Sequence, residues 1–134
     1  MSKKVFLLSA VAALAVCAAC GRQDKAIEEA AYQYSFAMAN YDLEGARPFA
    51  TEETLNTTFV VAEALTNMVD SAYIASDTPA TIEIDNLRRQ SDTTATVTYH
   101  KKTPLRETTG ELELRKRGGK WLAHAPCEED TVYI

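Results

Sequence analysis

The chain is short of several things at once. Histidine is scarce: His100 and His124 are the only two in 134 residues. Neither stands at metal-ligand spacing from another His, Cys or carboxylate, so neither a metal nor a cofactor is expected. Basic residues are outnumbered, 14 Lys and Arg against 19 Asp and Glu. That balance argues against nucleic acid as a partner, because phosphate-backbone affinity rests on clustered Lys and Arg. The basic runs that do occur, Arg88-Arg89, Lys101-Lys102 and Arg115-Lys116-Arg117, are short and read as a solvated surface. No apolar run reaches the roughly 20 residues that a membrane-spanning helix needs. No repeat or low-complexity segment appears, and the length is that of one domain with a core of its own.

What is present divides at residue 19. Residues 1–19 carry only two charges, Lys3 and Lys4, ahead of a 12-residue apolar stretch over 5–16. Small residues follow, in the three-part pattern of an export signal. Ala18-Ala19-Cys20-Gly21 then resembles the lipobox of bacterial lipoproteins, with Cys17 standing where an aliphatic residue is usual. The resemblance implies cleavage before Cys20, diacylglycerol on its sulfur and acylation of its new amino group. Two or more chains anchor stably where one is marginal. The competing register, ending at Cys17, puts the bulkier Val16 next to the cleavage site. Removing the leader also removes two lysines and takes the formal charge from −5 to −7. One cysteine then remains beside the acylated one, Cys127, and a single thiol forms no internal disulfide. Pro126 and the acids Glu128, Glu129 and Asp130 surround it, and their field disfavours a reactive thiolate.

The mature chain reads as a tether over 20–25, a domain over 26–126 and a tail over 127–134. Ile27, Ala31, Tyr34, Met38 and Tyr41 form a helical stripe that predicts a helix over 26–41. Asp42 caps a short second helix with Leu43, Ala46 and Phe49 inward. Thr51, followed by Glu52 and Glu53, caps a third that the pattern carries from 52 to about 75, with Leu55, Phe59, Ala62, Val69 and Ala72 inward. From residue 76 the period changes to two. Ile82 and Ile84, then Ala95, Val97 and Tyr99, then Leu112 and Leu114, then Trp121, Ala123 and Ala125 mark the inner face of four strands. Arg117-Gly118-Gly119-Lys120 is a hairpin signal. The expected class is α+β, with N-terminal helices packed on an antiparallel sheet.

In that order and spacing the chain resembles the cone-shaped, cystatin-like superfamily that includes the NTF2-like proteins, ketosteroid isomerase and the polyketide cyclases. More narrowly, it looks like the small bacterial lipoproteins of the DUF4878-like group. The resemblance rests on residues 39–46 (ANYDLEGA), 92–99 (DTTATVTY) and 112–122, which ends in RGGKWL. It implies a curved sheet wrapped around the first helix and a conical pocket, with Tyr34, Met38, Phe59, Tyr99 and Trp121 as its expected lining. An isomerase-like site there needs a carboxylate base and a hydroxyl donor. Tyr34 or Tyr41 could donate, but residues 55–59 (LNTTF), where such a base is expected, hold no acid. Glu52 and Glu53 are accounted for by capping. The reading is therefore a non-enzymatic, membrane-anchored module that takes a small apolar ligand or an envelope protein. The alternatives are an isomerase- or cyclase-type enzyme and an accessory or immunity-type protein. Gly21 after the Cys and a tether without an acidic cluster predict an outer-membrane anchor in a Gram-negative cell, with the domain in the periplasm. A charge of −7 predicts that the domain itself stays off anionic headgroups.

Overall fold

The structure, a computed structural model, describes residues 2–127, with side chains from residue 21 onward. The expected acyl site at Cys20 and most of the expected tail, 128–134, lie outside the described side chains. Among the described residues no helix is long and apolar enough to cross a membrane.

Helix α1, Ser2–Ala39, buries Ile27, Ala30, Ala31, Tyr34 and Ala37 against the sheet. It runs through 20–25 without a break, so the expected tether is helical. Gln23 Oε1 accepts a bond of 3.0 Å from Trp121 Nε1, which ties that segment to the domain before residue 26. The helix stops two residues short of its expected end. Tyr41 adopts φ +61, the left-handed conformation that glycine usually supplies at a helix C-terminus. Asp42 N–H then reaches back to Ala37 O at 2.8 Å. The side chain of Asp42 caps α2, Leu43–Ala46, by accepting from Gly45 N–H, and a 3-10 turn, Arg47–Phe49, follows with Pro48 at its start.

The long third helix expected over 52–75 is three helices: α3, Glu52–Asn56; α4, Thr58–Met68; and α5, Ser71–Ser76. Hydroxyl competition explains the first break. Thr57 Oγ1 donates to Glu53 O at 2.7 Å and accepts from Cys127 N–H, while Thr58 Oγ1 bonds Ala125 O. These β-branched residues tie the chain to the exit of the sheet instead of continuing the helix. Val69 is extended and Asp70 restarts the helix by accepting from Ala72 N–H at 3.0 Å. Ala72 is consequently exposed rather than part of a buried stripe.

The sheet is a meander, β1 Thr81–Arg89, β2 Thr94–Lys102, β3 Glu107–Arg117 and β4 Lys120–His124, antiparallel throughout. A bulge between Asp85 and Arg88, with Asn86 at φ +51, bends β1. The free edge of β4 is closed by Ala50, which bridges to Ala123, and by Thr51 N–H bonding Ala123 O. Gly118 and Gly119, at φ +58 and +80, make the tight turn between β3 and β4.

Between α5 and β1 sits Asp77, only 1% exposed. It accepts from Tyr41 Oη at 2.8 Å and from Thr103 Oγ1 at 2.7 Å, and Arg106 lies at 3.6 Å. The end of α1, the last helix and the β2–β3 loop meet on this one carboxylate. Bonds from Thr103 and Tyr41 hold its pKa below the ordinary carboxylate value.

Two outcomes follow. Phe59 is 1% exposed in the centre of the core, and Phe59→Ala lowers unfolding free energy by about 3–5 kcal/mol in a denaturant titration. A depressed carboxylate pKa gives stability that is present above the unfolded value, about 3.9, and is lost as pH falls through the folded one. Asp77→Asn therefore lowers the melting temperature at neutral pH and flattens its decline in acid; an acid limb identical to that of the parent chain would contradict the assignment.

Candidate functional site

The concave face of the sheet does not close completely on α1. A cavity of about 280 Å³ remains, lined by Tyr34, Ser35, Met38 and Ala39 from α1, and by Ile82, Tyr99, Lys101, Glu111, Leu112 and Ala125. Helical periodicity puts Tyr34 and Met38 on one face of α1. Strand alternation puts Tyr99 and Lys101 on the same side of β2 as the buried Ala95 and Val97. Gly110 stands opposite Tyr99 in the register, and a methyl group there would meet the Tyr99 hydroxyl at 2.5 Å. The glycine is what lets the Tyr99 ring lie across β3.

Three of the five expected lining residues, Tyr34, Met38 and Tyr99, border this cavity. The other two do not. Phe59 is core, with its ring 6.3 Å from that of Tyr34 and the Arg47 guanidinium over it, 5.5 Å from the ring centroid. Trp121 is buried at the far end of α1, bonded to Gln23. Trp121 has the inward phase of strand alternation and Phe59 that of a helical stripe, but phase does not fix position along the α1 axis. Lys101, read from the sequence as part of a solvated basic run, instead borders the cavity, because it continues the inward series Ala95, Val97, Tyr99 by one more step of two.

The cavity is apolar in its body and carries hydroxyls from Tyr34, Ser35 and Tyr99. Burial, with smaller contributions from Tyr99 and Cys127, pushes the Tyr34 hydroxyl up to about 12. It is therefore a neutral donor at any physiological pH. Among the lining residues Lys101 is the cation, and Glu111 is the carboxylate. Glu111 is engaged elsewhere, accepting from Arg88 at 2.7 Å. Tyr41, the other candidate donor, is outside the cavity and bonded to Asp77; burial and that bond raise its pKa to about 12. Glu53 is 2.6 Å from Arg117, which pulls its pKa down to about 2. A base that stays protonated only below that value is a poor proton acceptor at neutral pH.

The histidines differ from each other. His100 is half-exposed on the outer face, between Asp85 at 2.9 Å and Thr109 at 3.0 Å. His124 is not solvent-facing: its Nδ1 lies 2.9 Å from Thr51 Oγ1, and α3 covers it. Burial, then the charge of Arg115, lowers its pKa. Among the described residues no three His, Cys, Asp or Glu side chains gather as metal ligands. Cys127 is exposed, with Thr58 Oγ1 at 3.4 Å from its sulfur. Exposed large apolar side chains lie on the helices and the β2–β3 loop rather than on the strands: Tyr32 and Phe36 on α1, Tyr73 on α5, Leu105 in the loop, and Val61, Leu65 and Met68 at helical spacing on α4.

No protein-family model matches the sequence, and comparison with curated proteins gives no match. Solved structures do match. A Campylobacter jejuni protein described as an NTF2-like transpeptidase superposes with a TM-score of 0.54 at 15% identity, covering 73% of this chain and 96% of its own. An NTF2-like protein of unknown function from Shewanella oneidensis gives 0.53 at 17% identity, covering 78% and 99%. At such identities the likeness carries the architecture alone. The helices packed on a four-stranded antiparallel sheet are an NTF2-like fold.

Proposed function

We propose that this chain is a lipid-anchored binding module, a small envelope lipoprotein of the DUF4878-like kind whose cone holds a small ligand without transforming it. The observation that carries the reading is the cavity lining: an apolar body with three hydroxyls and one ammonium, and no free carboxylate. Its volume is at the low end of ligand pockets, which begin near 300 Å³. The ligand class that matches is a small amphipathic anion, with its apolar part against Met38, Ile82 and Leu112 and its charged head on Lys101. Hydrogen bonds from Tyr34 and Tyr99 would orient that head.

The carboxylate of this lining, Glu111, is paired with Arg88, so an isomerase- or cyclase-type reaction has no unengaged base here. A transpeptidase, as the Campylobacter protein is described, needs a nucleophile beside a base, and Cys127 has Thr58 rather than a histidine next to it. The anchor is supported by the lipobox-like Ala18-Ala19-Cys20-Gly21. Gly21 in place of an acid after the Cys supports the outer membrane, with the domain facing the periplasm.

Anilinonaphthalene sulfonate, an apolar anion, tests the cavity. The parent protein binds it with fluorescence enhancement, Lys101→Gln weakens binding about tenfold, as for loss of a bond to a charged group, and Ala39→Phe abolishes it by filling the space. Equal binding by all three proteins would move the dye site elsewhere and refute the reading. Cys20→Ser, expressed in a bacterium with lipoprotein processing, leaves the membrane fraction and loses the acyl mass increment; a parent chain lacking that increment would sink the anchor.

A further inference from the structure

We propose that the end of the domain formed by the two hairpin turns is a membrane-facing surface that rests against anionic phospholipid headgroups. The proposal builds on the anchor at Cys20. Gln23 is bonded to Trp121 at the start of β4, and three helical residues, a rise of about 4.5 Å, separate it from Cys20. The acyl chains therefore enter the bilayer beside this end of the sheet and no other.

The strand register shows which side chains share that end. Thr94 pairs with Arg115, Lys116 N–H bonds Thr93 O at 2.8 Å, and Arg117 pairs with Lys120. The β1–β2 and β3–β4 turns are thus neighbours. Between Arg115 and Lys120 there are four cations and no acid. Arg117 is neutralised by Glu53 and Arg115 by Glu113, each at 2.6 Å. On the two turns themselves Arg89, Lys116 and Lys120 remain, against Asp92. The turns are net positive on a domain whose total is negative.

Distance decides which charge the membrane feels. The Debye length is about 8 Å at physiological salt, whereas an 11-residue strand such as β3 is about 36 Å long. Acids at the opposite end, such as Glu83 and Glu107, are several screening lengths away, so the overall charge is a poor guide to what this end feels. The same orientation places the functional cavity. Ala39, Ile82 and Lys101 belong to the opposite end, where Thr81 pairs with Lys102. The cavity rim is then turned away from the bilayer and loads from the aqueous side.

The test uses the acylated protein, purified from membranes and reconstituted on vesicles of phosphatidylcholine alone or with about a third phosphatidylglycerol. A membrane-impermeant amine reagent reads each lysine by mass spectrometry. Lys116 and Lys120 should label at least fivefold more slowly on the anionic vesicles, on the order of the gain expected per basic residue at such a surface. High salt should restore their labelling, while Lys101 and Lys102 should be indifferent to lipid composition. Protein that floats with both vesicles but labels equally at Lys116, Lys120, Lys101 and Lys102 overturns the membrane-facing surface and leaves the anchor standing. Protein that floats with neither overturns the anchor, and the surface proposal with it.

Discussion

The structure depends on how one face of α1 fits the concave side of the sheet. Ala30, Ala31 and Ala37 let helix and strands approach closely, and Ile27 fills the contact where Leu114 and Ala123 come up from below. Tyr34 interrupts that series with a large ring, and its neighbour Phe59 consolidates the near side of it. On the other side, Ile82 and Tyr99 border open space instead of closing on the helix. Close packing over most of the face and a mismatch at one end are consequences of the same sequence. The mismatch is the cavity.

The stretch of α1 that packs on the sheet is then tied down at each end by a different chemistry. At the N-terminal side the tie is the Trp121 indole, whose ring is buried while its N–H finds Gln23. At the C-terminal side it is the Asp77 carboxylate, which gathers hydroxyls from an element on either side of it. The left-handed Tyr41 is intelligible only in this setting. Such a conformation costs a non-glycine residue about 1–2 kcal/mol, and the side chain that glycine would lack is the one that reaches Asp77. Tyr41 serves the fold there, which removes it from the chemistry of the cavity.

Much of this was legible in the chain, for definable reasons. Alternation over residues 93–101 and 111–115 reports burial on one side of a strand, and the structure buries Ala95, Val97, Leu112 and Leu114 accordingly. Caps at Asp42 and Thr51 were readable because a short polar side chain before an apolar stripe has a local partner. The break at Thr57 was not, because the partners that stop the helix there are 67 to 70 residues away in sequence; the break at Val69 has only local partners, Thr66 O behind it and the Asp70 cap ahead. Distant partners also decide Asp77, a turn-forming residue by type whose burial depends on Thr103 and Tyr41. For the site, phase alone nominated Tyr34, Met38 and Tyr99 together with Phe59 and Trp121. Only the position of each along α1 separates those that border the cavity from those that fill the core.

The central proposal is that the cavity between Tyr34 and Tyr99 takes a small apolar-bodied anion. Its most direct measurement is amide and methyl NMR of the protein during titration with a medium-chain fatty carboxylate. Saturable shifts confined to Tyr34, Met38, Ile82, Tyr99, Lys101 and Leu112 are what the cavity predicts. Shifts that instead track Val61, Leu65 and Met68 on α4, or that never saturate, would contradict it.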